Sequence, residues 1–60
     1  NINTAGVSEL MTLPGIGESR ANDIIRYRTE NGGFGCIEDI KKVSGIKDAA
    51  YSKIKDLIQV

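Results

Sequence analysis

Two glycines flank an isoleucine in the segment Leu13-Pro14-Gly15-Ile16-Gly17, between two stretches with helical character. Glycine adopts backbone angles that are closed to other residues, so this segment can form a very tight loop. The N–H groups of Gly15–Gly17 and of the first turn of the next helix lack helical partners, and the positive end of the helix dipole lies behind them. We expect this patch to hold an anion such as a phosphate oxygen, with Ser19 and Arg20 beside it and the Ile16 side chain turned into the core.

A Gly-x-Gly pair also occurs where glycines only cap and connect helices, so the pair alone is weak evidence for an anion site. The surrounding residues strengthen the functional interpretation, because apolar side chains recur at helical spacing on both sides of the loop. These apolar residues are Leu10, Leu13, Ala21, Ile24 and Ile25.

Part of this pattern returns thirty residues later, which indicates an internal repeat. Leu10-x-x-Leu13-x-Gly15-Ile16 reappears as Ile40-x-x-Val43-x-Gly45-Ile46. The second loop is less faithful, since Lys47 replaces the second glycine and Ser44 replaces the proline. We expect Gly45, Ile46 and Lys47 to form a second phosphate site, and Lys47 either contacts a phosphate itself or is an ordinary solvated lysine.

Four helices are needed to position the two loops. We predict helices over about Val7 to Thr12, Glu18 to Glu30, from near Ile37, and over about Asp48 to Ile58. Gly6 and Glu9 have the spacing of a capping box at the first helix, and Asn31-Gly32-Gly33 is typical of the end of the second. No strand pattern competes. Residues 1–60 therefore form one all-α domain of four to five short helices, a tandem helix-hairpin-helix fold with pseudo-two-fold symmetry, its units covering about 5–30 and 36–60.

Single residues on the predicted helices have expected roles in packing. Tyr51, Ile54, Leu57 and Ile58 are expected to form the apolar face of the fourth helix, and Phe34 to fill the space between the units. We expect Cys36 to be a small, half-buried packing residue, at a position where serine would cap the third helix better.

Composition excludes several function classes. The chain has no histidine and one cysteine, so it cannot assemble an internal disulfide, a zinc site or a Cys/His or Ser/His/Asp catalytic arrangement. We predict no catalytic residue, no cofactor and no metal site. Eight basic and eight acidic residues cancel. Any affinity for nucleic acid must therefore come from locally placed charge and backbone donors. Further basic residues could extend the DNA contact, but we favour solvated surface charges for them: Arg26, Lys53 and Lys41-Lys42.

The complete pattern resembles the C-terminal helix-hairpin-helix domain of the ComEA family of competence DNA receptors, a fold of the SAM-like class similar to the second domain of RuvA. The resemblance covers essentially all 60 residues. It rests on Leu13 to Gly17 followed by Ala21, on the opening Asn1-Ile2-Asn3-Thr4-Ala5, on Arg28-x-Glu30-Asn31-Gly32-Gly33-Phe34, and on Glu38-Asp39-Ile40-x-x-Val43-x-Gly45-Ile46.

The resemblance implies binding of double-stranded DNA without sequence preference during natural transformation, with the DNA-uptake machinery as a further partner. It places the phosphate-contacting backbone on Gly15, Ile16 and Gly17 and a basic group on Arg20, so the first hairpin is expected to supply most of the grip. Two such hairpins would meet phosphates on both strands across the minor groove. The family's location implies a domain outside the cytoplasmic membrane, either anchored at the cell surface or periplasmic, while the domain itself spans no membrane.

Two other functions stay open on the sequence alone. The neutral net charge and the altered second hairpin also suit a protein-interaction scaffold, and the same fold could target a DNA repair enzyme to DNA. A monovalent cation in either hairpin is neither required nor excluded. Because the chain begins at Asn1 without an initiator Met, we expect it to be excised from a longer protein, with any anchor or leader upstream.

Overall fold

A computed structural model describes all 60 residues and contains four helical elements and no strand. They are α1 (Val7–Leu10), α2 (Glu18–Asn31), a 3-10 helix (Ile37–Lys42) and α3 (Asp48–Ile54). This arrangement confirms the predicted all-α fold. No helix has the length and apolar character needed to cross a membrane.

The first helix begins as predicted and ends earlier. Gly6 is its N-cap, and the backbone N–H of Gly6 donates to Oε1 of Glu9 at 3.3 Å, which is the backbone half of a capping box. After Leu10 the chain continues in tighter turns, in which the N–H of Thr12 donates to the Glu9 carbonyl and that of Leu13 to the Leu10 carbonyl. α1 therefore ends at Leu10 rather than Thr12.

The long helix α2 ends where the glycines predicted it would. Gly32 has φ +75° and ψ 18°, the left-handed conformation that glycine adopts without steric cost, and its N–H donates to the Arg28 carbonyl. Phe34 follows, is 4% exposed, and stacks on Tyr27 with ring centroids 5.2 Å apart. The burial expected of Phe34 is confirmed, while its place between the two units stays a prediction.

The third element is a 3-10 helix, not the α-helix expected from near Ile37. Its apolar positions Ile37, Ile40 and Val43 recur every third residue, and side chains three apart are eclipsed on one face of a helix with three residues per turn. This spacing buries Ile40 and Val43. Cys36, the N-cap of this helix, is exposed, so the prediction that it is a half-buried packing residue is wrong.

The last helix is shorter than predicted. α3 ends at Ile54, and the chain turns immediately, with the N–H of Leu57 donating to the Ile54 carbonyl at 2.8 Å. This turn leaves Leu57 62% exposed, so its predicted place on the apolar face is wrong. Ile54 is fully buried, and Tyr51 and Ile58 pack against the core.

One hydrophobic core joins the two units. Its eleven buried residues come from both repeats and from the segments that precede and link them: Ile2, Ala5, Leu10, Ile16, Ala21, Ile24, Phe34, Ile40, Val43, Ile46 and Ile54. No polar side chain is buried among them. Because buried residues of both units belong to a single cluster, neither unit has a separate core of its own.

Polar contacts fix the N-terminal segment to the rest of the domain. One guanidinium nitrogen of Arg28, Nη1, donates to the carbonyls of Ile2 at 3.0 Å and of Ala5 at 2.6 Å. The Asn3 side chain makes a two-way pair with Phe34, accepting from its N–H at 2.7 Å and donating to its carbonyl at 3.0 Å. These side chains lie within the sequence stretches that carry the family resemblance, and the structure gives them an architectural role.

Candidate nucleic-acid interface

The first hairpin connects α1 to α2 through a turn with one left-handed residue. Gly15 has φ +79°, and the N–H of Ile16 donates to the Leu13 carbonyl at 3.1 Å. The Ile16 side chain is 5% exposed, as predicted, and anchors the loop in the core. Gly17 is the N-cap of α2, and its carbonyl accepts from the N–H of Ala21 at 2.9 Å.

Several backbone donors of this hairpin have no partner within the protein. The N–H groups of Gly15, Gly17 and the first turn of α2, residues 18–20, make no intramolecular hydrogen bond. The Ile16 N–H is different, since it is already bonded to Leu13. Of the predicted donors, Ile16 is therefore a positioning residue, while Gly15, Gly17, Ser19 and Arg20 offer free N–H groups at a helix N-terminus.

The second hairpin repeats this geometry closely. Gly45 has φ +87°, the N–H of Ile46 donates to the Val43 carbonyl at 3.1 Å, and Ile46 is fully buried. The Lys47 carbonyl accepts a hydrogen bond from the N–H of Tyr51 at 2.8 Å. This bond is the equivalent, thirty residues later, of the one between Gly17 and Ala21. Pseudo-symmetry inferred from the sequence therefore extends to individual hydrogen bonds.

Lys47 occupies the place of the second glycine without distorting the turn. Gly17 has φ −91° and ψ −173°, and Lys47 has φ −113° and ψ −169°. Both are extended conformations that any residue adopts. Of the two glycines, only Gly15 uses the backbone freedom that glycine allows, and lysine in the place of Gly17 leaves the second hairpin intact.

The Arg20 side chain reaches from the first unit to the second hairpin. A Cβ built on Gly45 would lie 2.8 Å from Nη2 of Arg20 and closer still to Nε and Cζ. The guanidinium therefore rests on the Gly45 backbone, and a side chain at position 45 would displace it. By contrast, a Cβ built on Gly15 has no atom within 4 Å. The expected association of the Arg20 charge with the first hairpin is not what the structure shows.

Ion pairs occupy most of the other basic residues near the hairpins. Arg26 pairs with Asp23 at 2.9 Å and Lys42 with Asp39 at 3.4 Å. Lys41 pairs with Asp48 at 3.4 Å, and its Nζ also lies 5.1 Å from the centre of the Tyr51 ring. These surface pairs support the interpretation of Arg26, Lys41 and Lys42 as helix-surface charges.

The surroundings of Cys36 favour the thiol form of its side chain. Partial removal of water from the sulfur raises the pKa of Cys36, and the Glu38 and Asp39 carboxylates raise it further. The pKa of Asp39 is in turn lowered, chiefly because the carboxylate accepts a hydrogen bond from the Gly35 N–H and secondarily because of Lys42. No group of three or more His, Cys, Asp or Glu side chains is placed to hold a metal ion.

Comparisons with known proteins point to one family. A family model described as a helix-hairpin-helix motif matches residues 1–59. ComE operon protein 1 of Bacillus subtilis (strain 168) is 55% identical over 60 residues, which is 100% of this chain and 29% of that protein. No solved structure gives a significant match.

Two further relatives show how widely this sequence pattern occurs. Endonuclease/exonuclease/phosphatase family domain-containing protein 1 of Homo sapiens is 46% identical over 55 residues, covering 92% of this chain and 10% of that protein. An uncharacterized protein of Haemophilus influenzae is 42% identical over 59 residues, covering 97% of this chain and 53% of that protein. The chain thus spans less than two thirds of the length of each relative.

Proposed function

Because this chain belongs to the helix-hairpin-helix family and is a ComEA-like member of it, we propose that it binds the phosphate backbone of double-stranded DNA without reading base sequence. The observation that carries the proposal is the pair of equivalent hairpins, each with free backbone N–H groups beside a buried isoleucine. Such donors suit phosphate oxygens, and contacts with phosphates carry no base information.

The two hairpins together form the proposed contact surface. Gly15, Gly17, Ser19 and Arg20 contribute donors from the first, and Gly45 and Lys47 from the second, with Ile16 and Ile46 holding the loops in place. Related by the pseudo-two-fold, they would meet phosphates of both strands across the minor groove. With zero net charge and so few contacts, the domain should bind weakly, with Kd of roughly 10⁻⁴ to 10⁻⁶ M at physiological salt.

A titration with fluorescent duplexes of unrelated sequence tests this proposal. We expect similar affinity for every duplex and a steep loss of affinity as salt rises, because bound phosphates release counterions. Absence of binding, or binding that is indifferent to salt, would overturn the proposal. Marked preference for one duplex would overturn its non-specific character.

A pair of serine variants tests whether the first hairpin is part of the contact surface. Ser19→Glu puts a carboxylate among the free donors of α2, where it repels phosphate yet suits the helix dipole, so the fold is retained. Ser8→Glu adds the same charge at the equivalent second position of α1, before rather than after the hairpin. We expect weaker DNA binding for Ser19→Glu and none of that loss for Ser8→Glu. Equal effects would remove the first hairpin from the interface.

At the level of the whole protein, we infer a non-enzymatic role in DNA uptake during natural transformation. The support is the 55% identity to ComE operon protein 1 over the entire chain, together with the family resemblance. That role places the domain outside the cytoplasmic membrane, periplasmic or anchored through a segment beyond these residues, and near the uptake machinery. Loss of transformation, with loss of cell-associated DNA, is the expected result of deleting the gene.

The relatives named for an endonuclease/exonuclease/phosphatase domain favour a second candidate, in which the domain delivers an enzyme to DNA. The two candidates share the same DNA contact and differ in what accompanies it. A catalytic domain in the complete gene would favour the second, and a membrane helix with a flexible linker would favour the first.

A further inference from the structure

We propose that the second hairpin is the principal phosphate site of the domain and that Arg20, although it belongs to the first unit, supplies the charge of that site. This inference rests on the proposed DNA binding and specifies which groups produce it. It reverses the ranking of the hairpins that the sequence suggests.

Cross-unit contact is the first argument. Arg20 is the third residue of α2, so its backbone N–H belongs to the donors of the first hairpin. Its side chain, 44% exposed, runs to the second hairpin and places the guanidinium on Gly45. The only carboxylate that pairs with Arg20 is Asp23, at 4.0 Å. Most of the hydrogen-bonding capacity of the guanidinium therefore remains available to a ligand at the second hairpin.

Pseudo-symmetry gives the second argument, because the reciprocal contact is missing. Thirty residues after Arg20 the chain has Ala50, and thirty residues before Gly45 it has Gly15. Alanine is too short to cross the gap, and the space over Gly15 is open. The first unit therefore places an arginine side chain on the hairpin of the second unit, and the second unit places none on the hairpin of the first.

The remaining charges increase the difference between the hairpins. Lys47 adds an exposed ammonium to the second hairpin and pairs with no carboxylate, while the nearby Asp48 is paired with Lys41. The first hairpin has instead the carboxylate of Glu18, which pairs with no cation. The second hairpin thus has the unpaired Lys47 and the Arg20 guanidinium, whose one ion pair is the 4.0 Å contact with Asp23, while the unpaired carboxylate of Glu18 lies beside the first. Since phosphate binding depends on local positive charge, the second hairpin should bind more strongly.

Two arginines of the same helix provide a matched test by duplex titration at several salt concentrations. Arg20→Ala and Arg26→Ala remove the same charge from α2, and both side chains neighbour Asp23. We expect Arg20→Ala to weaken binding about fivefold to tenfold at 0.1 M salt and to reduce the slope of log K against log salt by about 0.9, the value for one phosphate contact. Arg26→Ala should stay within about twofold of the unmodified protein.

A double-mutant cycle identifies which hairpin Arg20 serves. Gly45→Asn and Gly15→Asn place the same side chain at equivalent positions with positive φ, where asparagine is tolerated best among non-glycine residues. Only the change at Gly45 displaces the guanidinium. The effects of Arg20→Ala and Gly45→Asn on DNA affinity should therefore be non-additive, and those of Arg20→Ala and Gly15→Asn additive.

Amide chemical shifts of the uniformly labelled protein provide a readout that separates the two levels of the hypothesis. On addition of duplex, Gly45 and Lys47 should shift more than Gly15 and Gly17, and Arg20→Ala should selectively reduce the shifts at Gly45 and Lys47. Equal losses for Arg20→Ala and Arg26→Ala, or coupling of Arg20 to Gly15 instead of Gly45, would overturn the assignment while DNA binding stands. Failure of the unmodified protein to bind any duplex would overturn DNA binding and the assignment together.

Discussion

Among residues whose side chains reach the surface, Arg28 should destabilise this domain most when it is replaced, here by methionine. Arg28 is half-buried on α2 and is the only internal donor to the carbonyls of Ile2 and Ala5. Methionine keeps the length of the apolar stem and removes the donors. A hydrogen bond involving a charged group contributes about 1.5–3 kcal/mol, so losing two partly exposed ones should cost about 2–4 kcal/mol.

That cost is large relative to the stability of so small a domain. At about 0.05–0.15 kcal/mol per residue, 60 residues give a total free energy of unfolding of about 3–9 kcal/mol. We therefore expect Arg28→Met to lower the melting temperature by at least about 8 °C, since 1 kcal/mol corresponds to about 4–8 °C in domains of this size. Urea unfolding followed by circular dichroism at 222 nm measures the loss directly.

Arg26→Met is the matched control for this experiment. Arg26 lies on the same helix, its side chain is 67% exposed, and its one ion pair, with Asp23, spans three residues of the helix surface. Such a pair contributes only about 0.2–0.5 kcal/mol. If the urea midpoints of Arg28→Met and Arg26→Met fall by the same amount, with equal m-values, the carbonyl contacts of Arg28 do not hold the N-terminal segment and the reasoning is refuted.

Three further predictions concern stability. Gly15→Ala should cost about 1–2 kcal/mol because φ is +79°, whereas Gly17→Ala, at φ −91°, avoids that strain and should cost less, the loss being only that of a favourable N-cap residue; equal melting temperatures would contradict the assigned turn geometry. Cys36→Ser should stabilise by up to about 1 kcal/mol, because the N-cap of the 3-10 helix has no side-chain hydrogen bond and serine can supply one; a lower melting temperature would argue against it. Asp39→Ala should lower the urea midpoint more than Asp56→Ala does at neutral pH. The folded-state pKa of Asp39 lies below its ordinary value of 3.8, so its contribution to stability is complete above pH 3.8 and disappears as the pH falls through the lowered pKa. If the difference in urea midpoint between the two variants persists in strong acid, the Asp39 carboxylate is not its source.

Local rules predicted the parts of the fold that depend on neighbouring residues. The capping box at Gly6 and Glu9, the end of α2 at Gly32 and the burial of Ile16 each follow from interactions within a few positions, and the structure confirms them. The 3-10 helix was missed because apolar residues at every third position satisfy one face of either helix type over so short a stretch.

The missed contacts depend on how the units pack against each other. Arg20 meets Gly45, and Arg28 meets the Ile2 and Ala5 carbonyls, across sequence separations that no periodicity encodes. The sequence held one signal for the contact at Gly45. The first glycine of the hairpin is present in both repeats, as Gly15 and Gly45, whereas the second, Gly17, is replaced by Lys47 in the second repeat. The structure explains the difference: Gly45 has positive φ and lies under the Arg20 guanidinium, which a side chain there would displace, whereas position 47 needs only an extended backbone.

The two ends of the domain are joined by a hydrogen bond, in which the N–H of Ile2 donates to the Gln59 carbonyl at 2.9 Å. The chain therefore enters and leaves the domain at one point on the surface. A longer polypeptide can carry the domain as an insert, because the segments before and after the insert remain close together in space. A circular permutant that links Val60 to Asn1 and opens between Gly32 and Gly33 would place the second unit first in the chain. The hairpins would keep their relative positions in space, so the order of the units along the polypeptide is not what creates the surface they share.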